Sequence, residues 1–242
     1  MIIEMTIKIE DINFIYLNCK KDKDRKTYFL KQWNDTCKDY GSNIKIERFD
    51  AIHYDDLIFS HFNDYYDIPE KSTIKDEAPN IAVFKSHQAI YKRIIDYNLK
   101  YAMIFEDDVI IPKDFLKNLE KIISDIPNQW DILFMGLLRP KVKKLENSNW
   151  LKLLPLKGYN NGFHAYLINQ ENIRKIYKCI IKNGLKNQID IFFRDHANKF
   201  NFFVYKELLI KQNVNDFQST RLDRFVRDEL KKNFDEYNIV NS

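Results

Sequence analysis

Three consecutive carboxylates interrupt an apolar run near the middle of the chain. The apolar residues 101–105 lead into Glu106, Asp107 and Asp108, and Val-Ile-Ile follows at 109–111. A run of this kind is typical of a strand buried on both faces, as in a parallel sheet. Three adjacent acids cannot all ionise in such a place without a counter-charge, and a divalent cation held by oxygen ligands supplies one. The cluster therefore predicts a metal site that the phosphates of a substrate complete.

The same acids have a structural alternative. They could cap a helix that begins near Pro112, because carboxylates are favourable beside a helix N-terminus. Against this alternative, the acids are embedded in apolar sequence rather than in a polar loop. Ligands of open α/β sheets bind just outside the carboxyl ends of the strands, which is where these acids are expected to lie.

Strand-like and helix-like segments alternate on both sides of the acids. Apolar or alternating runs predict strands at residues 14–17, 44–49, 101–105, 132–135 and 161–168. Apolar stripes predict four helices between them: one bearing Phe29, Trp33 and Cys37, one opened by Pro79, one begun by Pro112 and Asp114, and one through Ile173, Ile176 and Ile180 that ends at Gly184.

The remaining segments set the domain organisation. Residues 53–78 show no clear period and are predicted to form an irregular loop, whereas the charged residues 221–236 are predicted to form a terminal helix. The alternation predicts one α/β domain over residues 1–220, with a mostly parallel central sheet flanked by helices, and a helical tail at 221–242. At 242 residues and 45% hydrophobic, the chain has ample material for the core of such a domain.

Composition limits the partners and the compartment. The net charge of +4 permits binding of an anion such as a nucleotide sugar but does not indicate a nucleic-acid-binding surface. Three cysteines without metal-ligand spacing favour reduced thiols. The N-terminus has no apolar core of signal-peptide length and no run is long enough to span a membrane, so we expect a cytoplasmic protein, with attachment to the periphery of a membrane left open. The abundance of Lys, Asn and Ile indicates an AT-rich genome, bacterial or viral.

Seven short blocks occur in an order and at spacings that a known family shares. They are Ile15-Tyr16-Leu17-Asn18 with Asp24-Arg25, Phe49-Asp50-Ala51-Ile52, Ala82-Val83-Phe84-Lys85-Ser86-His87, Ile104-Phe105-Glu106-Asp107-Asp108-Val109, Trp130-Asp131-Ile132-Leu133, the run 162–168, and Gln188-Ile189-Asp190. Together they resemble glycosyltransferase family 25, the lipooligosaccharide and collagen galactosyltransferase type, whose domain has a GT-A fold. Two departures are that Ala82-Val83 replaces the usual Gly-Cys, and that Cys19-Lys20-Lys21 replaces a more typical Leu-Asp-Arg.

The resemblance implies a reaction. It implies inverting transfer of a sugar, such as galactose or glucose, from a nucleotide diphosphate sugar, with UDP as the expected nucleotide. The acceptor would be a hydroxyl of a glycan or of a lipid-linked or protein-linked glycoconjugate. Mn²⁺ or Mg²⁺ would act as a Lewis acid on the leaving diphosphate. Asp108 matches the last acid of the family's metal motif and is the expected direct ligand, with His164 as the candidate second ligand.

The other implied roles concern the donor and the base. The blocks assign donor binding to Leu17, Asn18, Arg25, Ala51, Ser86, His87, Glu106 and Asp107. Asp190 is the expected catalytic base, because an acid between two isoleucines could be shielded from water. Structural alternatives stay open for several of these residues: Asp190 could cap the following helix, Arg25 could be solvated, and His87 and His164 could be buried structural histidines.

Two other functions are compatible with the acidic cluster. One is a metal-dependent phosphohydrolase or nuclease, against which the lack of a basic stripe counts. The other is a catalytically inactive module that binds a nucleotide sugar. The aromatic-rich residues 53–70 are attractive as a lid over the acceptor, although they could equally be ordinary packing.

Overall fold

The apolar runs of the sequence form the strands of one large sheet and one small one. The computed structural model describes residues 7–57, 74–155, 161–183, 188–213 and 238–240. Its strands are β1 (Ile12–Asn18), β2 (Ile46–Asp50), β3 (Tyr101–Glu106), β4 (Val109–Ile110), β5 (Ile132–Leu138), β6 (Lys141–Lys144), β7 (Trp150–Leu153), β8 (Asn161–Asn169), β9 (Phe202–Tyr205), β10 (Lys211–Gln212) and β11 (Asn238–Val240). Its α-helices are α1 (Lys23–Tyr40), α2 (Ile74–Asp96), α3 (Phe115–Ile123), α4 (Gln170–Asn183) and α5 (Ile189–His196).

The large sheet is mostly parallel. Its strand order is β11-β6-β7-β9-β5-β8-β3-β1-β2. The pairing directions show that β8 and β7 run against the other strands of this sheet, and all of its antiparallel pairs involve one of these two. The predicted α/β class, with a mostly parallel central sheet flanked by helices, is therefore confirmed.

Alternating side chains along each strand build a core on both faces of the sheet. Ile15 and Leu17 of β1 pack in the cluster that contains the buried residues of α2, α4 and α5. Phe14 and Tyr16, their immediate neighbours, pack in the cluster that contains α1 and α3. This period of two is the geometry of a strand covered on both sides, and it places helices in a layer on each face.

Strand direction brings the predicted site residues to one edge of the sheet. The parallel strands β1, β2 and β3 end there, at Asn18, Asp50 and Glu106. Because β8 runs the opposite way, it begins at this edge and contributes the residues around Gly162. This edge is the place where α/β sheets bind ligands.

A second, two-stranded sheet closes over the acids. Strand β4, which follows Asp108 directly, pairs with β10 in antiparallel fashion. Gln32 of α1 fixes the β4 backbone from the other side: its Nε2 donates to the Val109 carbonyl oxygen at 3.0 Å, and its Oε1 accepts from the Ile111 N–H at 2.9 Å. The late residues 211–213 are thereby held beside the acidic cluster.

One predicted boundary is wrong. Helix α2 begins at Ile74 rather than at Pro79, so Pro79 lies inside the helix and residues 74–78 are not part of an irregular loop. A proline near a helix start removes one backbone hydrogen bond, and here Ala78 and Ile81 on either side are buried, which offsets that loss. The other loop residues 58–73, Gly184, the boundary at 220 and the predicted helix at 221–236 lie outside the described residues. Residues 238–240 of the predicted helical tail are instead strand β11, because they pair with β6 of the large sheet. Among the helices of the described part, none combines the length and apolar character that a membrane span needs.

Candidate active site

Asp108 is a buried carboxylate with one unused oxygen. It is 5% exposed and lies two residues after the end of β3. Its Oδ2 accepts a hydrogen bond of 3.0 Å from Gln212 Nε2 and lies 3.7 Å from Arg25 Nη1. Its Oδ1 is buried and has no hydrogen-bond partner. A buried polar atom without a partner is costly, and an orphaned carboxylate oxygen suits a hard cation.

Asp107 has its oxygens occupied by side chains of the first βα unit. Asn18 Nδ2 donates to Asp107 Oδ2 at 2.6 Å, and Arg25 Nη1 donates to Oδ1 at 3.1 Å. Arg48 in turn holds Asn18, with Nη1 at 3.1 Å from Asn18 Oδ1. Asn18, Arg25 and Asp107, which were all predicted to meet the donor, therefore contact one another at the sheet edge.

Burial and mutual repulsion disfavour the charged forms of Asp107 and Asp108. Burial, with the charge of Asp108 adding to it, raises the pKa of Asp107 to about 6, against the opposing effect of Arg25. Burial also raises the pKa of Asp108, with Glu106 adding to the shift and Arg25 opposing it. One guanidinium is shared by both aspartates. A bound divalent cation would favour the charged forms of both aspartates.

Glu106 lies beside a buried polar chain. Its Oε1 is 3.6 Å from His87 Nε2, and its side chain is 25% exposed. On the other side of the ring, His87 Nδ1 lies 2.6 Å from the hydroxyl oxygen of Tyr166, which lies 2.8 Å from that of Tyr91. His87 lies on the apolar stripe of α2, as the sequence indicates. Its Nε2 nevertheless faces the site, because Glu106 is the residue beside it.

Both ring nitrogens of His164 face backbone carbonyl oxygens. Nδ1 lies 2.8 Å from the carbonyl oxygen of Gly162, and Nε2 lies 3.0 Å from that of Ile210. The ring fits because position 136 is glycine: a Cβ there would stand 2.4 Å from Nε2. His164 thus braces the chain just before Gln212, and its effect on Asp108 in this arrangement is electrostatic.

Asp190 is buried in the first turn of α5. It is 8% exposed, and Gln188 rather than Asp190 occupies the N-cap position. Its Oδ1 accepts from the Ile191 N–H at 2.8 Å and its Oδ2 from the Gly162 N–H at 3.3 Å. The carboxylate is therefore held at the start of β8, at the same edge of the sheet as the acids.

A groove lies at this edge of the sheet, between the loop after β1, the segment after β2 and helix α2. Its volume is about 870 Å³, and its charged lining consists of four lysines and two aspartates: Lys20, Lys21, Lys23, Lys85, Asp50 and Asp56. Such a volume is that of a small-molecule site. Ala51 and Ile52 line the groove. The Ile52 N–H donates a hydrogen bond of 2.8 Å to Ser86 Oγ. Leu17 packs into the core, so its side chain does not line this groove.

The residues present fit a divalent cation only with help from a ligand. Within the described ranges, no three His, Cys, Asp or Glu side chains are arranged to hold a metal ion. Asp108 Oδ1 offers one oxygen. Mg²⁺-type sites commonly use one or two carboxylates together with substrate phosphates, and the groove lysines make this edge attractive to phosphates. The fit is therefore to a cation that arrives with a phosphate-bearing molecule.

Sequence reasoning missed several residues of the site. Gln212 lies 104 positions from Asp108, and no local pattern predicts their contact. Arg48 was seen only as a strand residue, although its alternation with Phe49 indicates a side chain on a different face. Tyr166 lay within a recognised block, but no local pattern connects it to His87. The roles of the predicted site residues stay predictions.

Comparisons with known proteins agree with the resemblance. The family model Glycosyltransferase family 25 (LPS biosynthesis protein) matches residues 11–193. Procollagen galactosyltransferase 2 of Mus musculus is 25% identical over 218 residues, which cover 85% of this chain and 33% of that protein. Lipooligosaccharide biosynthesis protein lic2B of Haemophilus influenzae is 25% identical over 180 residues, covering 70% of this chain and 67% of that protein.

One further relative and one solved structure are also similar to the chain. Inactive glycosyltransferase 25 family member 3 of Homo sapiens is 26% identical over 99 residues, 40% of this chain and 17% of that protein. The crystal structure of a glycosyltransferase involved in the glycosylation of the major capsid of PBCV-1 covers 91% of this chain and 98% of its own, at 10% identity and a TM-score of 0.46. The chain spans about a third of the length of the mouse relative. Because the family model covers well over half of the chain, the resemblance is confirmed, and the chain belongs to glycosyltransferase family 25.

Proposed function

We propose that the chain transfers a sugar, such as galactose or glucose, from a nucleotide diphosphate sugar to a hydroxyl of a glycan or glycoconjugate. The observation that carries this proposal is the buried carboxyl of Asp108, whose Oδ1 has no hydrogen-bond partner at the carboxyl end of β3. A carboxylate in this position suits a cation that is shared with phosphate oxygens.

The donor would occupy the groove at this edge of the sheet. Lys20 and Lys21 lie in the loop that follows β1, and Lys85 lines the groove from α2. Burial lowers the pKa of Lys85, which marks it as partly shielded from water, and attraction to an anion is strengthened where water is excluded. A UDP-linked sugar is the first donor to test, because it joins a diphosphate to a ribose whose hydroxyls Glu106 could accept.

Asp108 would hold the cation, and the chain's other residues would orient Asp108. Gln212 and Arg25 lie on the Oδ2 side of its carboxyl, which leaves Oδ1 for the metal. When bound, Mn²⁺ or Mg²⁺ supplies Lewis-acid stabilisation of the leaving diphosphate. Preorganised charge of this kind is worth several kcal/mol of barrier, on the order of 3–4 kcal/mol for one oxyanion contact.

His164 is the second ligand of the sequence prediction. To bind a metal through Nε2, the ring must release the Ile210 carbonyl oxygen, which now lies 3.0 Å away. The proposal therefore rests on Asp108 alone. A His164→Ala variant decides the second ligand: a Mn²⁺ affinity that falls at least tenfold supports ligation, and an unchanged affinity leaves the histidine as a brace.

Asp190 is proposed as the base that takes the proton from the acceptor hydroxyl. The backbone N–H groups of Gly162 and Ile191 fix its carboxyl at the start of β8. A fixed carboxylate can receive a proton from an attacking hydroxyl without first rearranging. Inversion at the sugar requires that this hydroxyl attack from the face opposite the leaving diphosphate.

The test is release of the nucleotide from a panel of UDP-sugars in the presence of Mn²⁺, with and without simple saccharide acceptors. The proposal expects release that acceptors accelerate and that Asp108→Asn abolishes while the circular dichroism spectrum is unchanged. Cleavage of phosphodiesters without any sugar nucleotide would replace the proposal by a phosphohydrolase. UDP binding with neither hydrolysis nor transfer would replace it by an inactive binding module.

A further inference from the structure

A polar chain of three aromatic side chains runs through the core to the donor side of the acids. Tyr91 and His87 lie one turn apart on α2 and both point at Tyr166 of β8. All three side chains are at most 1% exposed. Beyond the ring of His87 stands Glu106, whose carboxyl is partly exposed at the sheet edge. Buried polar groups need every hydrogen to find a partner, so the placement of hydrogens in this chain is constrained.

Only one arrangement gives every polar hydrogen of these three side chains an acceptor. Burial raises the pKa of Tyr91 and of Tyr166, so both hydroxyls keep their hydrogens at neutral pH. In the part of the chain that the structure describes, the Tyr91 hydroxyl has one hydrogen-bond partner, the hydroxyl of Tyr166. Tyr91 must therefore donate to Tyr166, and Tyr166 donates to His87 Nδ1. The neutral ring then carries its hydrogen on Nε2, which faces Glu106 Oε1.

The opposite arrangement leaves a hydrogen without an acceptor. If His87 carried its hydrogen on Nδ1, it would donate to Tyr166, Tyr166 would donate to Tyr91, and the Tyr91 hydrogen would be buried without a partner. The lone pair of Nε2 would also face the carboxylate of Glu106. Both consequences are unfavourable in a site that excludes water.

We propose that Tyr166 is a positioning residue, which holds His87 in the tautomer with hydrogen on Nε2 so that this N–H faces the carboxylate of Glu106. At 3.6 Å this N–H attracts the Glu106 carboxylate electrostatically, and we expect that attraction to favour the position in which Glu106 meets the donor. Its expected effect on the donor rests on the proposed function, whereas the tautomer itself is a property of the ligand-free protein.

The tautomer is measured by a two-bond ¹⁵N–¹H correlation spectrum of the ligand-free protein, with the His87 signals assigned from a His87→Gln variant. At about pH 7.5 the proposal expects a hydrogen on Nε2 and none on Nδ1. In Tyr166→Phe this pure pattern is lost, because Nδ1 has no donor. Tyr91→Phe is the matched control: it removes a buried hydroxyl of the same chain but leaves Tyr166 to donate to Nδ1, so the pattern persists.

The effect on the donor is measured by the affinity for UDP with Mn²⁺ present. Tyr166→Phe is expected to weaken binding about 5–10-fold, as the loss of one buried hydrogen-bond donor does. Tyr40→Phe, whose hydroxyl contacts Glu120 at the surface, is expected to bind as the wild type does.

Three outcomes would overturn the proposal: a wild-type ring with hydrogen on Nδ1, a Tyr166→Phe variant with the wild-type pattern, or a changed pattern with unchanged UDP affinity. Failure of the wild type to bind UDP would instead contradict the proposed function. The wild-type spectrum decides the tautomer in that case too, and it does so even if a variant fails to fold.

Discussion

Gln212 donates a hydrogen bond of 3.0 Å to Oδ2 of Asp108, across 104 positions of sequence. A backbone hydrogen bond joins the same two segments: the Asn213 N–H donates to the Asp108 carbonyl oxygen at 2.6 Å. The late segment at 211–213 is thus part of the acidic site rather than a remote end of the domain. Gln212 contacts Oδ2 of Asp108, and Oδ1 is the oxygen left without a hydrogen-bond partner. We infer that the amide orients the carboxyl.

Removing this amide should weaken the cation site without destroying it. Gln212→Ala is expected to lower the Mn²⁺-dependent affinity for UDP about tenfold, because Asp108 keeps its charge but loses its orientation. Calorimetric titration measures the change. Gln170→Ala is the matched control, since Gln170 follows β8 at the opposite edge of the sheet. Equal losses in both variants would contradict an orienting role for Gln212.

The buried Asp107 predicts a pH dependence of stability in the metal-free protein. Its pKa is raised from 3.8 to about 6, so the unfolded chain loses this proton at a lower pH than the folded chain does. The free energy of unfolding should therefore fall as pH rises from about 4 to about 6, by up to roughly 3 kcal/mol. Below this window the protonated Asp107 contributes its full stabilisation of the folded state, and above the window that contribution is lost.

The experiment compares denaturant unfolding of the wild type and Asp107→Asn in the presence of a chelator. The difference in free energy of unfolding between wild type and Asp107→Asn should change across this pH window, because the asparagine does not titrate. Asp39→Asn, which removes an exposed partner of Lys117, should run parallel to the wild type. A constant difference between wild type and Asp107→Asn at all pH values would show that the Asp107 pKa is not raised.

Much of the fold could be predicted because its signals are local. The alternation of Phe14 and Ile15 decides which face of the sheet each side chain meets, and the buried run before Glu106 defines a central strand. The start of α2 could not be predicted in this way. Pro79 is a good helix-start signal on its own, but burial of the residues around it outweighs that local preference.

The candidate site was predictable only in part, for a related reason. The acids are recognisable from the sequence because charged residues within an apolar run are unusual. Their partners stand in no unusual local pattern and come together only in the folded chain. Asn18 and Arg25 were expected near a donor, but their contacts with Asp107 depend on strand pairing between β1 and β3. The contact of Tyr166 with His87 depends on the packing of α2 against β8.

Glycine at position 136 should be required for both stability and donor binding. An added Cβ would stand 2.4 Å from His164 Nε2 and 2.9 Å from the Ile210 carbonyl oxygen, so Gly136→Ala must displace the brace that precedes Gln212. We expect a loss of about 1–3 kcal/mol of stability together with weaker UDP binding. Thermal unfolding and calorimetry measure the two effects.

The comparison variant for this prediction is Gly41→Ala. Gly41 has a φ of 79° and open space around it, so alanine there strains the end of α1 without touching the site. Stability should fall and UDP binding should stay unchanged. A Gly136→Ala variant that lost stability but bound UDP normally would contradict the coupling between the histidine brace and the acids.

Asp190 should matter for turnover and not for donor binding. Asp190→Asn keeps an oxygen that can accept from the Gly162 N–H but cannot take a proton, so we expect kcat to fall at least about 100-fold with UDP affinity within about twofold of the wild type. Steady-state transfer assays and calorimetry give the two values. Asp195→Asn is the control, because that side chain is exposed. Wild-type kcat in Asp190→Asn would exclude it as the base.

The binding of UDP to the wild type and to Asp108→Asn, titrated by calorimetry with and without Mn²⁺, tests the metal-assisted donor site most directly. Asp35→Asn, an exposed change on α1, controls for the loss of one charge. We expect wild-type binding that requires Mn²⁺ and an affinity at least about 100-fold lower in Asp108→Asn. Mn²⁺-dependent binding of equal strength in Asp108→Asn, or no UDP binding by the wild type under either condition, would contradict a donor site built on Asp108.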